Sequence, residues 1–100
     1  MLLVIEFDLD ADVIDVPQSV IDNKDILRRK FVHWMQSKSN HQYRKVYTDI
    51  SGKKFYGIEY RSDAFVNWLN MKVLHNQKEQ AIVIKQMVSE YPSDLPRLFF

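Results

Sequence analysis

Leu2-Leu3-Val4-Ile5-Glu6-Phe7 is short, β-branched and almost continuously apolar, the pattern of a strand covered on both faces in the middle of a sheet. A chain organised around such a strand must bring further strands to both of its edges and helices to at least one of its faces. Downstream, Asp8 to Asn23 is long for a connection, and within it Val13, Ile14 and Val16 suggest a short extended piece before Pro17. From about Asp22 the apolar period lengthens to 3.6 residues. Leu27, Phe31, Trp34 and Met35 fall on one side of a helix, with Arg29, His33 and Gln36 on the other. Ser19 with Asp22, and Asp22 with Asp25, have the spacing of a helix cap.

Beyond a polar loop at residues 37–42, Tyr43 to Thr48 and Lys54 to Tyr60 read as strands joined by Asp49-Ile50-Ser51-Gly52-Lys53, whose glycine supplies the positive φ a hairpin needs. Ser62 or Asp63 then caps a second helix reaching about His75, and Gln80 to Lys85 is the last strand. The order strand, helix, strand, strand, helix, strand is that of the ferredoxin-like arrangement. The expected fold is therefore α+β, ferredoxin-like β-α-β-β-α-β, with a four-stranded antiparallel sheet and two helices on one face.

With 100 residues, 46% of them hydrophobic, the chain suits one domain spanning 1–100 with one modest core. There is no cysteine, which removes disulfides, thiolate nucleophiles and sulfur-ligated metals and suits a reducing compartment. The apolar start is broken by Glu6 and Asp8 and has no basic leader, so the expected location is cytoplasmic, with no membrane partner. Net charge is +1 but uneven. Residues 1 to 25 carry seven acids against Lys24 alone, and residues 26 to 61 carry nine bases against Asp49 and Glu59. Such a split either lets the two segments attract each other or creates an anion-attracting face.

Three constellations nominate surfaces. Asp8, Asp10 and Asp12 alternate just past the first strand, where oxygen ligands for a hard divalent cation would sit. Phe7-Asp8-Leu9-Asp10 is similar to the opening of the haloacid-dehalogenase phosphatase motif, which would make Asp8 a nucleophile and Asp10 an acid/base. Ala11 and Asp12 depart from that motif, and no later acidic motif follows. An aspartate closing the first strand and the basic run Arg28-Arg29-Lys30 also resemble the small CRISPR-associated ferredoxin-like nucleases.

The second constellation is basic and aromatic. Lys53-Lys54-Phe55-Tyr56-Gly57-Ile58-Glu59-Tyr60 resembles the third-strand motif of RNA-recognition domains at Lys53, Phe55, Ile58 and Tyr60. It departs at Lys54 and Gly57, the second of which stands where a stacking aromatic belongs. Arg28, Arg29, Arg44, Lys45, Lys53, Lys54 and Phe55 together form a candidate surface for single-stranded nucleic acid.

The third lies on the second helix, where Phe65, Val66, Leu69 and Val73 suffice for a core while Ala64, Trp68 and Met71 occupy another side. That side needs cover, either from the C-terminal Leu95, Leu98, Phe99 and Phe100 or from another subunit. Trp68, Met71, Leu98, Phe99 and Phe100 form the candidate protein interface, with a homodimer among its outcomes. No sequence feature nominates an enzyme or a cofactor. The reading is a non-catalytic binding or interaction domain, with nucleic-acid binding as the alternative and metal-dependent phosphoester chemistry at Asp8, Asp10 and Asp12 third.

Overall fold

The computed structural model describes residues 1–37 and 43–100, and describes Arg44, Lys45 and Tyr56 by their backbone alone. The polar loop expected at 37–42 lies outside the described residues except for Ser37. The architecture is α+β, but the sequence of elements differs from the expected one.

The opening strand β1 (Leu2–Glu6) is interior, as its continuous apolar character requires. Its neighbour β2 (Ala11–Asp15) returns antiparallel through a tight turn closed by the Phe7 N–H donating to the Asp10 carbonyl at 2.8 Å. The short extended piece around Val13 and Ile14 is thus a full strand and occupies one edge of β1. Beyond β2 lies β5 (Ile82–Val88), antiparallel to it, and on the other side of β1 lies β6 (Arg97–Phe99), parallel to it. The order β5-β2-β1-β6 makes a mixed sheet, so the expectation of a purely antiparallel one is corrected. With both edges of β1 filled by local and C-terminal segments, the hairpin of β3 (Arg44–Thr48) and β4 (Lys54–Ile58) cannot pair with the central strand, and it does not join the outer strands β5 or β6. It forms a separate two-stranded ribbon, which replaces the expected ferredoxin-like pairing.

Two helices follow β2. The first, α1 (Gln18–Asp22), begins after Pro17, and α2 (Lys24–Met35) begins after Asn23. Neither has a side-chain cap, contrary to the expectation from Ser19, Asp22 and Asp25; instead the Asn23 amide donates to the Ser19 carbonyl at 2.8 Å. The last helix, α3 (Ser62–Trp68), widens into a π turn over Leu69–Val73.

All three helices pack on the face of the sheet that carries Leu3, Ile5 and Ile14. Phe31 is the hub. Its ring meets Phe65, Phe100, Tyr60 and Trp68 edge-on, with centroids 5.2, 5.5, 5.4 and 5.8 Å away. Truncating a buried phenylalanine of this kind costs about 3–5 kcal/mol. On the opposite face Val4 and Val13 are buried too, and segment 89–96 returns from one edge of the sheet to the other. Its Tyr91 phenol donates to Glu6 at 2.8 Å, and its Pro96 carbonyl accepts from Val4 at 2.9 Å. Among the described residues no helix is long and apolar enough to cross a membrane.

Candidate functional site

The β3–β4 ribbon is the part of the molecule whose large side chains face solvent on both sides. Its turn is tied by a single carboxylate: Asp49 accepts from the Ser51 hydroxyl at 2.6 Å and from the Lys53 N–H at 2.9 Å. Those bonds, the Ser51 hydroxyl first, hold the Asp49 pKa below its ordinary value. Gly52, at φ +85°, makes the chain reversal that a side chain would strain. At the root of the ribbon the Glu59 N–H donates to the Tyr43 carbonyl at 2.9 Å.

Register decides what each face presents. Tyr47 stands opposite Phe55 and Lys45 opposite Gly57, so these four share one face by the period-two rule. Tyr47 and Phe55 are 48% and 47% exposed, and no core lies over them. A Cβ on Gly57 would come within 3.2 Å of the Tyr47 ring, so the ring lies across the glycine, and its hydroxyl reaches Glu59 at 2.7 Å. That hydrogen bond, helped by partial desolvation, raises the pKa of the Tyr47 phenol. The Lys53 ammonium sits 5.4 Å from the centre of the Phe55 ring. Two half-exposed aromatic residues opposite each other, the Lys53 ammonium beside one and the Glu59 carboxylate bonded to the hydroxyl of the other, make an exposed surface on which flat rings can stack. The other face carries Val46 and Ile58, also exposed, and the tip carries Ile50.

The remaining sequence-predicted residues are dispersed. Arg28 is committed within the chain: its guanidinium donates to the Phe99 carbonyl and lies 5.2 Å from the Phe100 ring centre. Arg29 is exposed on α2, while Lys53, Lys54 and Phe55 are exposed on the ribbon. The side chains of Arg44 and Lys45 lie outside the described residues; their backbone places them at the start of β3.

The three aspartates past β1 part company. Asp8 is exposed in the turn. Asp12 is wholly buried, and its oxygens accept from the Met87 N–H at 3.0 Å, the Ser62 N–H at 3.1 Å, the Ser62 hydroxyl, and Arg61 at 2.6 Å. The same Arg61 holds Asp10 at 2.7 Å and lies 4.4 Å from the Phe7 ring centre. Burial pushes the Asp12 pKa up, but the bonds from Arg61, Ser62 and Met87 outweigh it and leave the carboxyl below its ordinary value. Asp12 thereby caps α3 from the sheet, the task expected of Ser62 or Asp63. Among the described residues no three carboxylates or histidines gather to hold a metal ion. Hollows of about 290 and 240 Å³ flank the turn, and Asp8, Leu9 and Asp10 border both.

The interface set divides as well. Trp68 and Leu98 are in the core, and Phe100 packs on Phe31, Phe65 and Tyr60. Only Met71 and Phe99 of that set are more than half exposed. Trp68 is covered by Phe31 and Phe65, while the C-terminal Phe100 covers Phe31, Phe65 and Tyr60.

Comparison with protein-family models, with curated proteins and with solved structures finds no match to this chain. The functional reading therefore stands on the geometry. Sequence reasoning passed over Tyr47 as a site residue. The signal was present in the hairpin register, which sets Tyr47 across from Phe55 and leaves room for its ring at Gly57.

Proposed function

We propose that this chain is a non-catalytic binding domain that holds single-stranded nucleic acid on one face of its β3–β4 ribbon. The observation that carries the reading is the exposed cross-strand pair Tyr47 and Phe55, with the Lys53 ammonium beside the Phe55 ring, on an element that among the described residues pairs only with itself. Unpaired bases stack on aromatic rings whatever their identity, and nearby ammonium groups attract the phosphates between them. Arg44, Lys45, Lys53 and Lys54 stand against Asp49 and Glu59 between residues 44 and 59, a net balance of +2 that favours polyanions.

This reading gains on the interaction-domain alternative because the aromatic patch proposed for a partner subunit is largely spent inside the chain. The ribbon keeps Val46, Tyr47, Phe55 and Ile58 exposed together, while the far face of the sheet exposes the aliphatic Leu2, Ile82 and Ile84, which offer no ring for a base to stack on. Catalysis has no support from the acidic turn, since Asp12 and Asp10 are engaged by Arg61.

Fluorescence anisotropy of a labelled single-stranded oligonucleotide at low salt tests the proposal. The wild-type chain should bind, and Tyr47→Ala with Phe55→Ala should cost about 1–3 kcal/mol for each lost stack. Both side chains are half exposed, so the fold should survive their truncation. Absence of wild-type binding at low salt would remove the reading.

A further inference from the structure

Along the outer side of α2, Ile26, Arg29, Lys30 and His33 follow one another at helical spacing and border a hollow of about 410 Å³. Several other bases are committed within the chain, Lys24 to Asp25, Arg61 to Asp10 and Asp12, Arg97 to Glu6, and Arg28 to the C-terminal segment, while Lys54, Lys72, Lys78 and Lys85 are exposed singly away from this hollow. Among the described residues Arg29 and Lys30 have no ion-pair partner. The hollow also has an apolar border, because Ile26 is about half exposed. Two unspent cations beside an apolar side chain fit a ligand that is anionic and carries hydrophobic surface, as each unit of a nucleic-acid strand does.

Position connects this hollow to the ribbon. The inner side of α2 presents Phe31, whose ring meets Tyr60 edge-on at 5.4 Å, and Tyr60 follows β4 by two residues. The basic stripe therefore lies across α2 from that contact, on the side of the helix turned away from Tyr60 and roughly one helix diameter, about 10 Å, from it. We infer that the hollow on α2 is a phosphate subsite: Arg29 and Lys30 neutralise phosphates of the strand whose bases stack on Tyr47 and Phe55, and Ile26 packs against its sugars. The inference rests on the nucleic-acid reading of the ribbon and extends the contact from bases to backbone.

The test compares salt dependence. Each phosphate neutralised on a single strand contributes about 0.7 to the slope of log affinity against log salt. Arg29→Gln with Lys30→Gln should make that slope shallower by about 1.4, so that between 50 and 200 mM salt the variant loses about sevenfold less affinity than wild type. An abasic oligonucleotide of equal length should show the same change in slope, since its phosphates remain. Tyr47→Ala with Phe55→Ala should instead weaken binding to the base-bearing strand while keeping the slope. Wild-type binding whose slope is unmoved by the α2 substitutions would overturn the subsite and leave the ribbon reading intact. Equal wild-type affinity for abasic and base-bearing strands, unaffected by the ribbon substitutions, would overturn the ribbon reading and the inference built on it.

Discussion

Replacing Asp12 with alanine should be among the most damaging single changes available to this fold. Its side chain is fully buried, and its two oxygens accept bonds from the Ser62 N–H, the Ser62 hydroxyl, the Met87 N–H and Arg61. Removal leaves three donors from Ser62 and Met87 without their acceptor, at about 1–3 kcal/mol for each one that water does not reach. Arg61 keeps Asp10, which limits the loss on the cationic side. Breaking a buried pair from one end typically costs about 3–5 kcal/mol, a large part of the roughly 5–15 kcal/mol that holds a domain folded. With a urea dependence near 2 kcal/mol per molar, the unfolding midpoint should fall by about 2 M, read from tryptophan fluorescence. Asp8→Ala, at an exposed position two residues before Asp10, should change stability by no more than about 0.5 kcal/mol, a midpoint shift of about 0.25 M. If the two variants unfold at the same urea concentration, Asp12 does not join α3 to the sheet in the way described.

The same carboxyl gives a pH signature. Its folded pKa lies below the unfolded one, so its stabilisation is complete above the unfolded value, about 4, and drains away as pH falls through the lower folded value. Acid unfolding curves of Asp12→Asn should lack that component, and identical acid dependence in variant and wild type would count against it. Arg28→Ala should free the C-terminal segment by removing its bond to the Phe99 carbonyl and its contact with the Phe100 ring. The expected cost is about 1–2 kcal/mol, with faster hydrogen exchange in β6 than in β1, and uniform exchange would contradict the latch. Gly57→Ala should push the Tyr47 ring aside and stretch its bond to Glu59, so that the phenol pKa drops back toward its ordinary value in an NMR titration of the tyrosine rings.

What the sequence disclosed followed from local pattern. The nearly continuous apolar run at Leu2 to Phe7 marked a strand buried on both sides, and Gly52 marked the hairpin turn, because each feature acts over a few residues. The second strand was harder to read, since Asp10 and Asp12 give 8–23 the look of a solvated loop. A buried aspartate in mid-strand is intelligible only with Arg61 and Ser62, about 50 residues away, beside it. Short β6 follows two prolines and pairs parallel with β1, a contact between opposite ends of the chain that no local periodicity signals. With β2 and β6 on both edges of β1, the hairpin cannot pair with the central strand as expected; it stands apart as its own ribbon, and Tyr47 and Phe55 stay in solvent. Part of the proposed nucleic-acid surface was thus visible as Lys53, Lys54 and Phe55. The role of Tyr47 and the diversion of Arg28 to the C-terminal segment depended on pairings that only the folded chain supplies.

Amide NMR mapping during titration with a short single-stranded oligonucleotide tests the central claim most directly. Shifts concentrated at residues 45–57, with the Tyr47 and Phe55 rings moving and Ile82 and Ile84 on the far side of the sheet still, are the predicted result. Shifts centred on Leu2, Ile82 and Ile84, or none at saturating oligonucleotide, would contradict it.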